Sequence, residues 1–537
     1  MTIKIHLVLL VHGLWGSNND LGAMKSKLTK HLPNAIEESD LNSILENPDF
    51  SSESKFDSSK QYSYFYACKS NNRFRTYDGV EMCGKRLQLE LYNLLCKFDN
   101  LDSLVVVNKI SFISYSLGGL MSRYCLGLLH NDGFFDYKEN GEQKYEFINF
   151  ITFVSPHVGV ISKDSRVAKL IGHSGVQLYL KDKDKLVYQM SLPTSSFVQG
   201  LKNFKHFKLY SNCINDIKTN FFTTGISHAD PFIDLYEKNT KDVKWLKFIP
   251  KYEGLIIDYE SSHLNNDENE KECKKIGKKF PESTDEIVIG KDDFQFEEEL
   301  SKELDVDVEL PVTTNNKSAN KIIAIYDKFV SILFLLLFVI FRTPFEICLS
   351  YYRRSKIIKL YKEDFKLINH IKIANLNINN DVAEEEEDSI DNSDTDDHET
   401  TPMLLATAKS NEEVIAASFN TPEKTPFSIA KRTLNSIMNK NAQPSLYLKE
   451  LIDLKYEDLF HLKQTFFNFE LVDPSDFELQ HQIIHNLNNG IEWERYPVII
   501  RKSKFSHAAI IARYDKPKEN FEEGLKVMDH LAENIVI

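Results

Sequence analysis

The sequence predicts an α/β protein built on a mainly parallel sheet. Apolar or aromatic runs of strand length recur along the chain, stretches with helical spacing separate them, and turn-forming residues end the runs. Residues 3–11, IKIHLVLLV, form a continuous apolar run closed by a glycine turn, a buried strand. Residues 37–60 are rich in Ser, Asp, Glu and Asn and read as a surface insertion. YSYFYA (62–67) is a strand by its aromatic content, and residues 78–96 are a helix. VNKISFIS (107–114) is a strand leading into a helix over 117–129. The apolar positions of that helix, Leu117, Leu120, Met121, Tyr124, Cys125 and Leu128, share one face. Residues 147–154 and 206–212 are further strands. A helix (476–488), a strand (496–501) and a last helix (518–535) close the chain.

Composition narrows the function classes. The 537 residues are 42% hydrophobic and carry a net charge of −14, ample for a large core and unsuited to nucleic-acid binding through a basic surface. The seven cysteines are scattered and include no C-x-x-C pair, so neither a zinc ribbon nor a disulfide framework is indicated. Reduced thiols in an intracellular protein are the simplest expectation. The apolar run at the N-terminus is short and lacks a cleavage-site pattern, so no secretory signal is read.

The chemistry centres on Ser114-Tyr115-Ser116-Leu117-Gly118, where an apolar strand meets a helix. A nucleophilic serine needs an exposed hydroxyl with a base beside it. A strand–nucleophile–helix elbow supplies the exposure by strained backbone, and the turn demands small residues two before and two after. Here the first small residue is serine rather than glycine. The helix that follows directs free N–H groups at the site. The rival reading is a plain strand-to-helix turn with a capping serine.

VHGLWG (11–16), at the end of the first strand, is the second piece. In α/β-hydrolases the loop at this place donates one N–H to an oxyanion hole and the residue after the nucleophile donates the other. Those donors are Leu14 and Leu117; His12 is structural. The acid and base should follow the serine in the order Asp, then His. Asp216, in LYSNCINDI (209–217), stands at a strand end, with Asp258 the competitor. His507, in FSHAAII (505–511), follows a strand and a short loop, with His157 and His228 the competitors.

Several stretches, in order, resemble a known family: HLVLLVHGLWGSNNDL (6–21), TYDGVEMCGKRL (76–87), ISFISYSLGGLMSRYCLG (110–127), FVSPHVGV (153–160), HFKLYSNCINDI (206–217) and NLNNGIEWERYPVIIRKSKFSHAAIIAR (486–513). They are similar to the eukaryotic lipase-like serine esterases of the α/β-hydrolase superfamily, a group that includes a fungal lipid-droplet phospholipase. The resemblance implies an α/β-hydrolase fold with Ser116 as nucleophile, Asp216 as acid and His507 as base, and no cofactor. It departs at Ser114, and after Asp216, where Ile217-Lys218-Thr219-Asn220 replaces the family's usual approach to Val-Pro. The strands that precede the HG strand in larger hydrolases have no room here, so the sheet is expected to be truncated at that edge.

Residues 329–341, FVSILFLLLFVIF, carry no charge. As a helix they would run about 20 Å, against a hydrocarbon core of roughly 30 Å. Arg353, Arg354, Lys356, Lys359 and Lys362 follow, and positive charge beside an apolar segment suits an anionic membrane surface. A monotopic anchor dipping into one leaflet or a droplet monolayer is expected; a core helix or a lid is the alternative. Residues 381–400 hold eleven Asp or Glu and are expected to be disordered, with Ser389, Ser393 and Thr395 as candidate phosphorylation sites among the acids. HQIIH (481–485) has the i, i+4 histidine spacing of zinc metalloproteases. Gln482 stands where their general-base glutamate would be, which favours an ordinary solvent-facing helix surface.

The expected organisation is therefore a hydrolase core in two parts, 1–260 and 446–537, the second carrying the base. Between them lie a charged insertion (261–320), an apolar membrane-associating segment with a basic flank (321–362) and an acidic, mostly disordered linker (363–445). The expected activity is serine-dependent hydrolysis of an acyl lipid at a membrane or droplet surface, with a glycerophospholipid as first-choice substrate. Expected locations are the lipid droplet and the endoplasmic reticulum. A neutral-lipid lipase, a protein thioesterase and an inactive lipid-binding scaffold are the alternatives.

Overall fold

A computed structural model of the chain describes residues 2–41, 56–57, 59–99, 105–139, 142–160, 168, 171–216, 219–228, 230–232, 235, 246–265, 343–366, 445–447, 474–513 and 519–537. The apolar run 329–341, the acidic tract 381–400 and most of the insertion 261–320 lie outside the described residues. Among the described residues no helix is long and apolar enough to cross a membrane.

The elements used below are, in chain order, β1 (Ile3–Val11), α1 (Gly22–His31), β2 (Ala35–Ile36), β3 (Gln61–Ala67), α2 (Val80–Asp99), β4 (Val105–Tyr115), α3 (Gly118–Asn131), β5 (Glu146–Phe153) and β6 (His206–Asn212). They continue with α4 (Thr343–Leu360), α5 (Pro474–Asn488), β7 (Trp493–Val498), α6 (Ser506–Ala509) and α7 (Glu522–Asn534). The strands form one seven-stranded sheet in the order β7-β6-β5-β4-β1-β3-β2. Every pairing in it is parallel. This is the α/β fold that the alternation of strands and helices predicts. Beyond β3 the described sheet adds only the two-residue β2.

Two core layers follow from the period-two geometry of a strand. From β1, Ile5, Leu7, Leu9 and Val11 point to the layer shared with α2, α3 and α5. Val8 and Leu10 point to the opposite layer, with Met24 and Leu28 of α1 and Val527, Met528 and Leu531 of α7. These side chains are almost completely buried, and each large aliphatic contributes on the order of 2 kcal/mol. The last residues of the chain are tied to the sheet by Asn149. Its amide donates to the Val536 carbonyl at 2.8 Å, and its Oδ1 accepts from the Val536 N–H at 3.2 Å.

Three expectations need correcting. The last strand is Trp493–Val498, not 496–501, because residues 499–505 form the loop that carries the chain to His507. The HQIIH helix is present, but His481 is buried rather than solvent-facing. Its Nδ1 lies 2.6 Å from His228 Nδ1 with the two rings stacked, and only His485 is exposed. Arg353 and Arg354, read as part of a membrane-facing basic flank, turn inward instead. Arg353 pairs bidentately with the buried Asp78, and Arg354 pairs with the buried Glu81.

Candidate active site

The serine corner has the strained backbone that an elbow requires. Ser116 adopts φ +53°, in the left-handed region, directly between the end of β4 and the start of α3. Such a conformation costs on the order of 1–3 kcal/mol and survives only where the surroundings hold it. The Ser116 N–H donates to the Phe153 carbonyl at 2.9 Å, and the next residue along β5, Val154, is itself at φ +44°. Ser114, which stands where a glycine is usual, is accommodated because its hydroxyl lies 2.8 Å from that of Ser122 one helical turn into α3.

The HG loop is pressed against this corner. A Cβ on Gly13 would lie 2.7 Å from Ser116 Cβ, and a Cβ on Gly118 would lie 2.5 Å from the Val11 carbonyl oxygen. Both positions therefore require glycine for close approach, and both set the loop beside the serine hydroxyl. A turn closes the loop, with the Gly16 N–H donating to the Gly13 carbonyl at 3.1 Å and Trp15 at φ +56°. Among the described residues, neither the Leu14 nor the Leu117 N–H donates a hydrogen bond. His12 is buried, and its Nδ1 donates to the Gly13 carbonyl at 3.0 Å; burial lowers its pKa.

The structure brings Ser116, His507 and Asp216 together. His507 Nε2 is 2.9 Å from Ser116 Oγ, and His507 Nδ1 is 2.9 Å from Asp216 Oδ2. Asp216 is buried and follows β6, with Asn215 before it at φ +61°. Burial alone would raise its pKa. The charge interaction with His507 and hydrogen bonds from His507, Asn212 and the Thr219 N–H outweigh that, and hold the carboxyl below its usual value. Asn212 Nδ2 donates to Oδ2 at 3.0 Å, and the Thr219 N–H and hydroxyl both reach Oδ1 at 3.0 Å.

The competing candidates are engaged elsewhere. Asp258 accepts from the Ser261 N–H at 3.0 Å within a turn. His157 is buried, and its Nε2 lies 2.9 Å from the Thr152 hydroxyl. His228 stacks on His481. A surface cavity of about 480 Å³, lined by Tyr66, Lys69, Arg75, Arg86, Glu90 and Lys97 among others, shares no lining residue with the Ser116 site.

Sequence reasoning missed four supporting residues. Thr219 lies 2.9 Å from His507 Nδ1 as well as bonding Asp216, and its signal was the Asp-x-x-Thr spacing of a side-chain-capped turn. Asn212, the last residue of β6, carried no such signal. Tyr115 donates its hydroxyl to the His507 carbonyl at 3.1 Å, with the two rings 5.3 Å apart. Asp20, behind the HG loop, pairs with Arg513 at 2.9 Å, both buried, and so joins the loop beside the serine to the one bearing His507. Contacts between residues so distant in sequence leave no local pattern.

Among the described residues no cluster of His, Cys, Asp or Glu could hold a metal ion, and the six described cysteines are free thiols.

Residues 2–229 match the model of the family described as "Putative serine esterase (DUF676)". Two proteins of Saccharomyces cerevisiae are similar to parts of the chain. The one named "Putative lipase YDL109C" is 36% identical over 134 residues, 23% of this chain and 20% of its own length. The one named "Putative lipase ROG1" is 30% identical over 207 residues, 36% of this chain and 27% of its own length. The chain thus spans about a quarter of these relatives or less.

Proposed function

Starting from the match of residues 2–229 to the serine esterase model, we propose that the chain is a serine-dependent hydrolase of acyl lipids. The observation that carries the reading is the continuous relay from Ser116 Oγ through His507 to Asp216, with both links at 2.9 Å. Ser116 Oγ attacks the acyl carbonyl carbon while His507 Nε2 takes the hydroxyl proton. Asp216 holds the imidazole with Nδ1–H towards the carboxylate and stabilises the imidazolium that forms. The N–H groups of Leu14 and Leu117 face the developing oxyanion, each worth roughly 3–4 kcal/mol in such sites. The imidazolium returns its proton to the departing alcohol, which leaves Ser116 acylated. Water, deprotonated by His507, then releases the fatty acid and restores the serine.

Within this reading the substrate is a glycerophospholipid at a membrane or lipid-droplet surface. The lipase names of the yeast relatives and the charge-free run at 329–341 support a lipid, and the sequence resemblance supports a phospholipid. The test is labelling by a fluorophosphonate probe, comparing the wild-type chain with Ser116→Ala, followed by mass spectrometry of products from phospholipid, triacylglycerol and acyl-thioester substrates. Serine-dependent labelling with lysophospholipid release is expected. Absence of labelling would instead leave an inactive lipid-binding scaffold, and release from triacylglycerol alone would make it a neutral-lipid lipase.

A further inference from the structure

Helix α4 has two unlike faces. Towards the domain it buries Glu346 and Ser350 and sends Arg353 to Asp78 and Arg354 to Glu81. Both carboxylates are buried in the segment TYDGVE (76–81), a stretch that the catalytic relay does not use. Towards solvent, Phe345, Tyr352, Lys356 and Lys359 stand seven, four and three residues apart, on a single helical face. Phe345 is 57% exposed, Tyr352 67% and Leu360 68%, and Tyr351 on the flank is 63% exposed. These four are the majority of the strongly exposed large apolar side chains among the described residues, so the concentration is local to this helix.

The charge of the helix is also local. In a chain of net charge −14, α4 carries Arg353, Arg354, Lys356 and Lys359 against the single acid Glu346. The arginines are consumed by the buried carboxylates. Lys356 and Lys359 stay exposed, with no ion pair to another described residue. Aromatic rings followed along one face by lysines, whose alkyl stems can lie along apolar surface while the ammonium groups reach outward, suit the boundary of an anionic leaflet.

We propose that this outward face of α4 is a docking surface for an anionic phospholipid leaflet. The two arginines fix its orientation. Arg353 also donates to the Phe74 carbonyl at 3.2 Å, and the Phe74 and Tyr77 rings are 5.5 Å apart. Thr76 in the same segment accepts from the Trp15 N–H at 3.1 Å, next to Leu14 in the HG loop. A leaflet seated on α4 is therefore held in fixed register with the loop beside Ser116. The inference rests on the lipid-hydrolase reading only for its choice of a lipid as occupant.

The test is vesicle flotation of the full chain carrying Ser116→Ala, so that the outcome does not depend on the proposed chemistry. The vesicles are phosphatidylcholine alone, or equal parts phosphatidylcholine and phosphatidylserine. The parent should float with the mixed vesicles and less with the neutral ones. Phe345→Ser combined with Tyr352→Ser should cut the bound fraction about tenfold, as loss of inserted apolar area predicts. Lys356→Glu combined with Lys359→Glu should abolish the preference for mixed vesicles. Phe345→Tyr combined with Tyr352→Phe should bind as the parent does. All of these side chains are exposed, so thermal midpoints should be unchanged and serve as the folding control. A parent that fails to float, equal capture on both vesicle types, or variants that bind like the parent would each overturn the proposal, whatever the fluorophosphonate labelling reports.

Discussion

Gly13 and Ser116 meet so closely that a methyl group on the glycine would stand 2.7 Å from the serine Cβ and 3.2 Å from its hydroxyl oxygen. Two strands that are far apart in sequence but paired in the sheet thus deliver their ends to one point. The absence of a side chain at position 13 is what lets the loop and the nucleophile corner share it. Gly13→Ala should displace either the Leu14 N–H or the serine hydroxyl, and kcat should fall about 100-fold, the effect of losing one oxyanion donor. Steady-state hydrolysis of a soluble short-chain ester measures it; activity within twofold of wild type would show that the loop takes no part.

The acid can be separated from its competitor by paired substitutions. Asp216→Asn keeps the shape but favours the wrong imidazole tautomer, and kcat should fall by about 10⁴. Asp258→Asn alters only a turn contact with Ser261 and should leave kcat unchanged. Equal losses in the two variants would contradict the assignment.

Thr219 supports both partners of the relay, lying 3.0 Å from Asp216 Oδ1 and 2.9 Å from His507 Nδ1. Thr219→Val removes the hydroxyl and keeps the backbone N–H. The loss should be about 1 kcal/mol, roughly fivefold in kcat, with Thr219→Ser restoring most of it. The same ester assay reads this difference.

Buried histidines make the fold acid-sensitive. Burial, aided by Lys109, drives His6 down to about 3; burial does the same to His481, and it takes His530 down to about 4, with Lys208 adding to it. Unfolded, each takes up a proton near 6.5, so between that value and the folded pKa the unfolded state binds more protons. Stability should therefore decline as pH falls from about 6.5 towards 4. Asp230, raised by burial to about 7, and Asp182, raised to about 6, act in the opposite sense but are fewer. Urea midpoints at pH 7 and pH 5 check the balance, with the lower midpoint expected at pH 5.

The clamp under α4 should be structural. Asp78 is completely buried and shared between Arg86 and Arg353. Arg353→Met leaves its charge half-paired, and removing one partner of a buried ion pair costs about 3 kcal/mol. A clear fall in thermal midpoint is expected, partly recovered by Arg353→Lys. An unchanged midpoint would mean that α4 is not held to the domain through this pair.

The sequence by itself determined most strands of the sheet and the helices α2, α3, α5 and α7, because each strand buried on both faces must be apolar along its length and each helix apolar on one side; it marked neither α1 nor α4. It determined the serine corner as well, since a sharp elbow tolerates only small neighbours, and Ser114 stayed within that limit. It singled out Asp216 and His507 by chain order and strand ends, while leaving Asp258, His157 and His228 as rivals. Tertiary structure alone decided which groups meet. Parallel pairing sets the ends of β1, β4, β6 and β7 side by side, so Asp20 finds Arg513 and Tyr115 finds the His507 carbonyl across hundreds of residues. It also turned Arg353 and Arg354 inward and left Lys356 and Lys359 outside. A run of basic residues carries no record of which members will face a buried carboxylate, since that depends on how the helix rotates to satisfy Asp78 and Glu81.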